Sequence, residues 1–255
     1  MKKKWFAAAL AGTLLAVLLL NGCASAQTAK RLRFGVAGEG GVYHAFGELY
    51  AALENETDNG TVELKTTAGS AANLRLLTGE YLQLAIAQGD LAQDAYDQTG
   101  IFADEEETRG FGAVAALYTE ACQIVVRADA DIQSVEDLQG KTVSIGAEES
   151  GSEQNALQIL AAYGLNDKLV DTVNLNYEDA AAQLKAGKVD AIFITAGAPS
   201  PVLTELAGEC GIRLLNVDGA AAQRLTSAYS ASKAGRSHCR QARIPARTRM
   251  CRPWA

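Results

Sequence analysis

Three short runs carry the residue types from which an anion site can be built. Ala68-Gly69-Ser70, Gln88-Gly89-Asp90 and Ser150-Gly151-Ser152 each stand where an apolar, strand-like pattern gives way to a helical one. Ser70 and Asp90 are suited to cap the helices that follow. A helix beginning at such a run turns bare N–H groups and the positive end of its dipole toward the loop. Carboxylates are received at ends of this kind. The loop Gly38-Glu39-Gly40-Gly41-Val42-Tyr43 adds Gly40 and Gly41, whose backbone can approach a ligand closely, and Tyr43 as a wall and hydrogen-bond donor. Gln88 at a strand end is an adaptable polar contact, Tyr118 is a ring for stacking, and Thr195 ends an apolar run.

Each of these residues also has an ordinary structural reading. Glycines serve tight turns, with Tyr43 then in the core. Ser70, Ser150, Gly151 and Ser152 can do no more than cap, and Gln88 can sit in a solvated turn. The glycine loop lacks the full G-x-G-x-x-G pattern, which argues against a nucleotide. No nucleophile stands beside a base. The two histidines, His44 and His238, are far apart, and no metal-ligand spacing occurs. The expected chemistry is therefore holding an anion, with no catalytic residue, no metal and no cofactor. Arg75 reads as a solvated helix residue, Glu120 as structural, and Asp190 as a local cap or pair.

The elements that must position these groups alternate along the chain. Strands are expected at 31–37, 62–67, 82–87, 111–118, 123–127, 142–146, 171–175, 191–195 and 213–217. Helices are expected from the 38–43 loop to Glu54, after Ser70, after Asp90, and at 134–138, 153–163, 178–186 and 202–208. Such alternation predicts an α/β protein with parallel sheets. A helix, a Gly-centred turn and an apolar strand recur at 73–86 and 183–194. Two similar units suggest two α/β lobes, 31–116 and 117–229, facing one cleft beyond the carboxyl ends of the strands.

Bulk properties agree with export and argue against nucleic acid. The 255 residues carry a formal net charge of −7. Lys2, Lys3 and Lys4 precede an apolar run, Trp5 to Leu20, which is short for a membrane span. It ends Leu20-Asn21-Gly22-Cys23, so residues 1–23 resemble a bacterial lipoprotein signal with Cys23 as the lipid site. A cleaved signal or a retained anchor are the alternatives. Residues 24–30 form a polar linker. Export permits a disulfide between Cys122 and Cys210, and two free thiols fit equally well.

Seven pieces in order resemble the TAXI family of solute-binding proteins, the extracytoplasmic receptors of tripartite ATP-independent (TRAP) transporters. They are Gly40-Gly41-Val42-Tyr43, Gly69-Ser70 with Asn73-Leu74-Arg75-Leu76-Leu77, Ala85-Ile86-Ala87-Gln88-Gly89-Asp90, Leu117-Tyr118-Thr119-Glu120, Asp137-Leu138-Gln139-Gly140-Lys141, Ser150-Gly151-Ser152-Glu153, and Gly187-Lys188-Val189-Asp190-Ala191-Ile192-Phe193. Glu39 departs from the small or hydroxyl residue usual in the first loop. The resemblance implies a two-lobed, periplasmic-binding-protein-like fold of type II. It implies a receptor, lipid-anchored outside the membrane, that closes on a small organic anion such as a dicarboxylate or an acidic amino acid and delivers it to a membrane permease. An enzyme on the same architecture, such as a dehydratase, is the rival reading. It needs an acid or base in the cleft, for which Glu39 and Glu120 are the candidates.

From Lys233 to Ala255 the chain has seven basic residues and no acidic one, which leaves 16 basic against 30 acidic elsewhere. The resemblance implies a continuation like Leu-Pro-Ala-Gly-Thr-Tyr-Pro-Gly-Gln-Asp-Ala-Asp-Val-Gln-Thr-Val-Gly. Codons permitted for His238 to Ala255, read one step out of frame, spell that stretch; Met250 (ATG) and Trp254 (TGG) leave no freedom in doing so. The expectation is a shifted frame over residues 230–255, a disordered tail, and a fold truncated at its C-terminus. A damaged, non-functional product is one consequence, and a genuine basic tail for anionic lipid or nucleic acid is the competing reading.

Overall fold

The computed structural model describes residues 31–57, 61–105 and 110–229. The signal, the linker and the out-of-frame reading of residues 230–255 lie outside the described residues. Two sheets organise the chain. The first has three strands in the order β2-β1-β3: β1 Arg31–Gly35, β2 Thr61–Lys65 and β3 Leu84–Ala85, all parallel, with Phe34 opposite Leu64 and Leu84. The second has five strands in the order β6-β5-β7-β4-β8: β4 Ala121–Arg127, β5 Thr142–Ser144, β6 Asp171–Val173, β7 Ala191–Ala196 and β8 Ile212–Leu215.

Among the described residues seven α-helices accompany them: α1 Val42–Asn55, α2 Ser70–Thr78, α3 Gly89–Asp97, α4 Gly151–Ala162, α5 Tyr177–Lys185, α6 Pro201–Glu209 and α7 Gly219–Tyr229. The α/β expectation holds. The parallel expectation holds for the first sheet only, because β4 runs antiparallel to both β7 and β8.

Period-two alternation explains why the second sheet's strands read as unbroken apolar runs. Ile124 and Val126 of β4 and Phe193 of β7 face one core, with Val143, Ile145 and the α4 residues Ala156 and Leu160. Val125 of β4 and Ile192 and Ile194 of β7 face the other, with Leu184 of α5 and Leu203 and Leu206 of α6. A strand covered on both faces needs apolar residues at every position. The first sheet packs Phe34, Val36, Val62 and Ile86 against Ala51 of α1. On its other side Ala71 and Leu74 of α2 meet Leu91 and Ala95 of α3 and Phe102.

Three local expectations are corrected. Phe111 to Tyr118 is not a strand: it joins neither sheet, and Val114 is 86% exposed. The α-helix expected at 134–138 does not start at Ser134. The Ser134 N–H and hydroxyl, with the Gln133 N–H, donate to Asp137 at 2.8 to 3.0 Å and shape a short 3-10 turn, Glu136–Leu138. Asp190 is more than a local cap, since it receives the Thr142 N–H at 2.9 Å and pins β5 beside β7. Cys122 and Cys210 are free thiols. No helix among the described residues is long and apolar enough to cross a membrane.

Candidate functional site

The candidate residues of the two sheets meet at one junction. α2 begins after Gly69, whose φ of 135° suits glycine. A Cβ on Gly69 would lie 3.3 Å from Ser150 of the second unit, so glycine also permits the close approach. The expected cap by Ser70 does not form. Its Oγ instead receives the Gln88 N–H at 3.0 Å, tying the start of α2 to the start of α3. Nor are the first amides of α2 bare. Ala71 and Ala72 donate to the carbonyl of Glu149, across the junction, at 3.1 and 3.2 Å. Asp90 lies inside the first turn of α3, and Gln88 holds the cap position.

α4 begins with a capping pair. Ser150 Oγ receives the Glu153 N–H at 3.1 Å, and Glu153 reaches back to the Glu149 N–H at 2.8 Å. Ser152 Oγ receives the Thr195 N–H at 2.9 Å and shares a 2.6 Å bond with Tyr177 OH, which donates to the Thr195 carbonyl at 2.8 Å. The tyrosine proton is thus spent on Thr195, and Ser152 donates to the phenol oxygen. In this arrangement Ser150 and Ser152 use their hydroxyls within the fold. Gly151 lies against the Gln88 side chain, and any Cβ there would collide with it. Gly40 faces Glu178 of α5, and Val42 packs on the second unit's core.

At the centre is Glu120, where the crossing segment enters β4. Tyr43 OH donates to its Oε2 at 2.9 Å, and the Gln88 side-chain amide lies close enough to favour its charged form. Tyr118 stands edge-on to Tyr43, with ring centroids 6.4 Å apart, and touches Gly197. Burial pushes the Glu120 carboxyl up to about 7, and the charge of Asp90 adds to the rise; the Tyr43 and Gln88 hydrogen bonds oppose it. Burial also raises Tyr43, Tyr118 and Tyr177, and lifts the Cys122 thiol to about 11. Gln88 is 8% exposed, and its Oε1 is buried without a hydrogen-bond partner, as is Thr195 Oγ1.

Among the described residues no cation pairs with Glu120, and no cluster of three His, Cys, Asp or Glu is placed to hold a metal. The nearby arginine is engaged elsewhere. Arg75 binds Glu105 at 2.6 Å and Glu149 at 3.0 Å and lies over the Phe102 ring, so this partly exposed side chain also links the two units.

Sequence reasoning selected Tyr43, Ser70, Gln88, Tyr118, Ser152 and Thr195, all of which lie at this junction. It assigned no role to Tyr177, although Asn176 caps the helix immediately before it. It reads Glu120 as structural, or with Glu39 as an acid for the rival enzyme, and not as a contact for a receptor's solute.

The sequence pattern of the NMT1-like family matches residues 34–235. Among solved structures, the periplasmic aliphatic sulphonate binding protein SsuA from Escherichia coli is 21% identical with a TM-score of 0.45; the match covers 72% of this chain and 56% of that one. The alkanesulfonate-binding protein SsuA from Xanthomonas axonopodis pv. citri, bound to MOPS, is 22% identical with a TM-score of 0.49 over 72% and 60%. An ancestral arginine-binding protein bound to arginine is 20% identical with a TM-score of 0.48 over 74% and 80%. The chain thus spans less than two thirds of the two sulphonate-binding proteins.

Proposed function

This chain belongs to the NMT1-like family, and from that premise we propose that it is an exported solute-binding receptor of a TRAP transport system. It captures a small organic anion, a dicarboxylate or an acidic amino acid, and hands it unchanged to a membrane permease. In this reading Cys23 carries the lipid anchor, residues 31–116 and 117–229 are the two lobes, and the solute is held by Gly40, Gly41, Tyr43, Ser70, Gln88, Tyr118, Ser150, Gly151, Ser152 and Thr195.

One observation supports this most directly: two α2 amides are donated across the junction to a carbonyl of the other unit. When the lobes part, those amides and the dipole behind them face a carboxylate of the solute. Closure then follows from the solute's contacts with both lobes.

Glu120 gives the enzyme reading its one specific support, since a carboxyl near 7 suits proton transfer. Asp90 is the other carboxyl felt there and burial lifts the nearby Cys122 thiol to about 11, but no nucleophile–base pair stands with Glu120 among the described residues, so binding remains the better account. Melting the full chain with succinate, glutarate, 2-oxoglutarate or L-glutamate tests the receptor. At about 100 times Kd a ligand adds roughly 2.7 kcal/mol, or about 5–10 °C in Tm for a chain of this size. No rise with any organic anion overturns the reading, and conversion of a bound hydroxy acid replaces it with the enzyme.

A further inference from the structure

We propose that Glu120 is the specificity-determining group of the junction: its carboxylate, together with the buried Gln88 Oε1, receives a primary ammonium group of the solute, so the receptor takes an α-amino acid in preference to the corresponding amine-free acid. This specificity presupposes the receptor reading and sharpens it.

Three independent features converge on one place. The first is charge. Glu120 is part-buried and has no cationic partner among the described residues, while Arg75 is committed to Glu105 and Glu149. A buried carboxylate without a counter-charge is costly, and it draws either a proton or a cation.

The second is the orphan acceptor. The Gln88 amide lies near enough to Glu120 to favour its charge, and its Oε1 is buried and partnerless in the same corner, against Gly151. Both groups need a donor. An ammonium supplies three donors and no acceptor, whereas a second carboxylate supplies none and repels.

The third is aromatic. Tyr43 and Tyr118 stand beside the carboxyl, and Tyr177 is close enough for its charge to be felt by it. Ring faces stabilise an ammonium that has left water. The solute's carboxylate would then lie at the α2 amides and its ammonium at Glu120. That separates the two charges of an amino acid in the sense that the site is polarised.

Binding a cation at this carboxyl also requires it to be ionised, so the solute expels a proton wherever Glu120 holds one. The groups whose charge or hydrogen bonds reach Glu120 are Tyr43 of α1, Gln88 at the cap of α3, Asp90 of α3, Tyr118 before β4 and Tyr177 of α5, and Cys122 of β4 lies beside Tyr177. Of these, Asp90 is the other carboxyl, and Asp90→Asn separates its titration from that of Glu120.

Isothermal titration of the full chain, stripped of solute by unfolding and refolding, decides the matter. L-Glutamate, L-glutamine and L-aspartate are compared at pH 7.5 with glutarate, 2-oxoglutarate and succinate. At least one amino acid is expected to bind tenfold or more tighter than its amine-free counterpart. Glu120→Gln should weaken that amino acid by about 10–100-fold, the range of one charged hydrogen bond, and leave the amine-free acid unchanged or tighter. At pH 7, titrations in two buffers of different ionisation enthalpy should show proton release in the parent and in Asp90→Asn, and none in Glu120→Gln.

Equal or tighter binding of the amine-free acids by the parent chain overturns the proposal whether or not any variant folds. Retained preference in a folded Glu120→Gln does the same. Failure of both classes to bind overturns the receptor reading and this one together, whereas binding of amine-free acids alone removes only this one.

Discussion

Glu120 carries the largest electrostatic consequence at the scale of single residues. Its carboxyl is raised from 4.5 to about 7, with burial as the main cause. The folded chain therefore holds this proton more tightly than the unfolded one. Below about 4.5 both forms are protonated and the contribution to stability is complete; it is lost as pH rises through 7. Glu120→Gln keeps a neutral side chain at every pH. In the absence of solute it should match the parent near pH 4.5 and exceed it by about 1–3 kcal/mol at pH 8, read from urea denaturation. A parent chain at least as stable as the variant at pH 8 would contradict the raised carboxyl. The positions of Tyr43, Ser70, Gln88 and Ser152 were legible because small and hydroxyl residues mark where strands become helices. Their hydrogen-bond partners were not legible. Ser70 serves Gln88 and Ser152 serves Thr195 through contacts 18 and 43 residues apart, which no local pattern encodes.

Among the elements, the helices were the most readable, because capping residues and apolar spacing are local. Asn176 capping α5 through the Asp179 N–H at 2.8 Å is an example. Strands depend on partners, and there the sequence misleads. Phe111 to Tyr118 has strand-like composition but no ladder, whereas Gln123 to Val126, of similar composition, is buried between β7 and β8. Apolar composition fits a pleated surface without supplying one. The antiparallel course of β4 was hidden for the same reason: no helix intervenes between the crossing segment and β4 to signal a change of direction. Amide exchange distinguishes the two stretches. Amides 112–117 should exchange within seconds at neutral pH, and those of 123–126 at least about a thousandfold more slowly. Comparable protection of both would place 111–118 in a sheet after all.

Over the whole molecule, the links between the two sheets among the described residues are largely hydrogen bonds and an ion pair. Arg75 bridges to Glu149, Tyr43 to Glu120, and the α2 amides to the Glu149 carbonyl, while Val42, the Tyr43–Tyr118 ring pair and Gln88 against Gly151 add packing contacts. Most of the apolar burial lies within each unit rather than between them. Such a division favours relative motion of rigid halves. The Glu149 carbonyl then has a role beyond joining them. Tethered immediately before α4, it is a built-in competitor for the very amides that would receive the solute. Capture becomes an exchange, and the measured affinity reports the difference between two occupants. Two glycines inserted between Ala147 and Glu148 loosen the tethered group and keep every proposed contact residue, although they interrupt the Ser150 N–H to Ala147 carbonyl bond. They should tighten solute binding by about two- to fivefold by calorimetry, and an unchanged Kd would show that the carbonyl never competed.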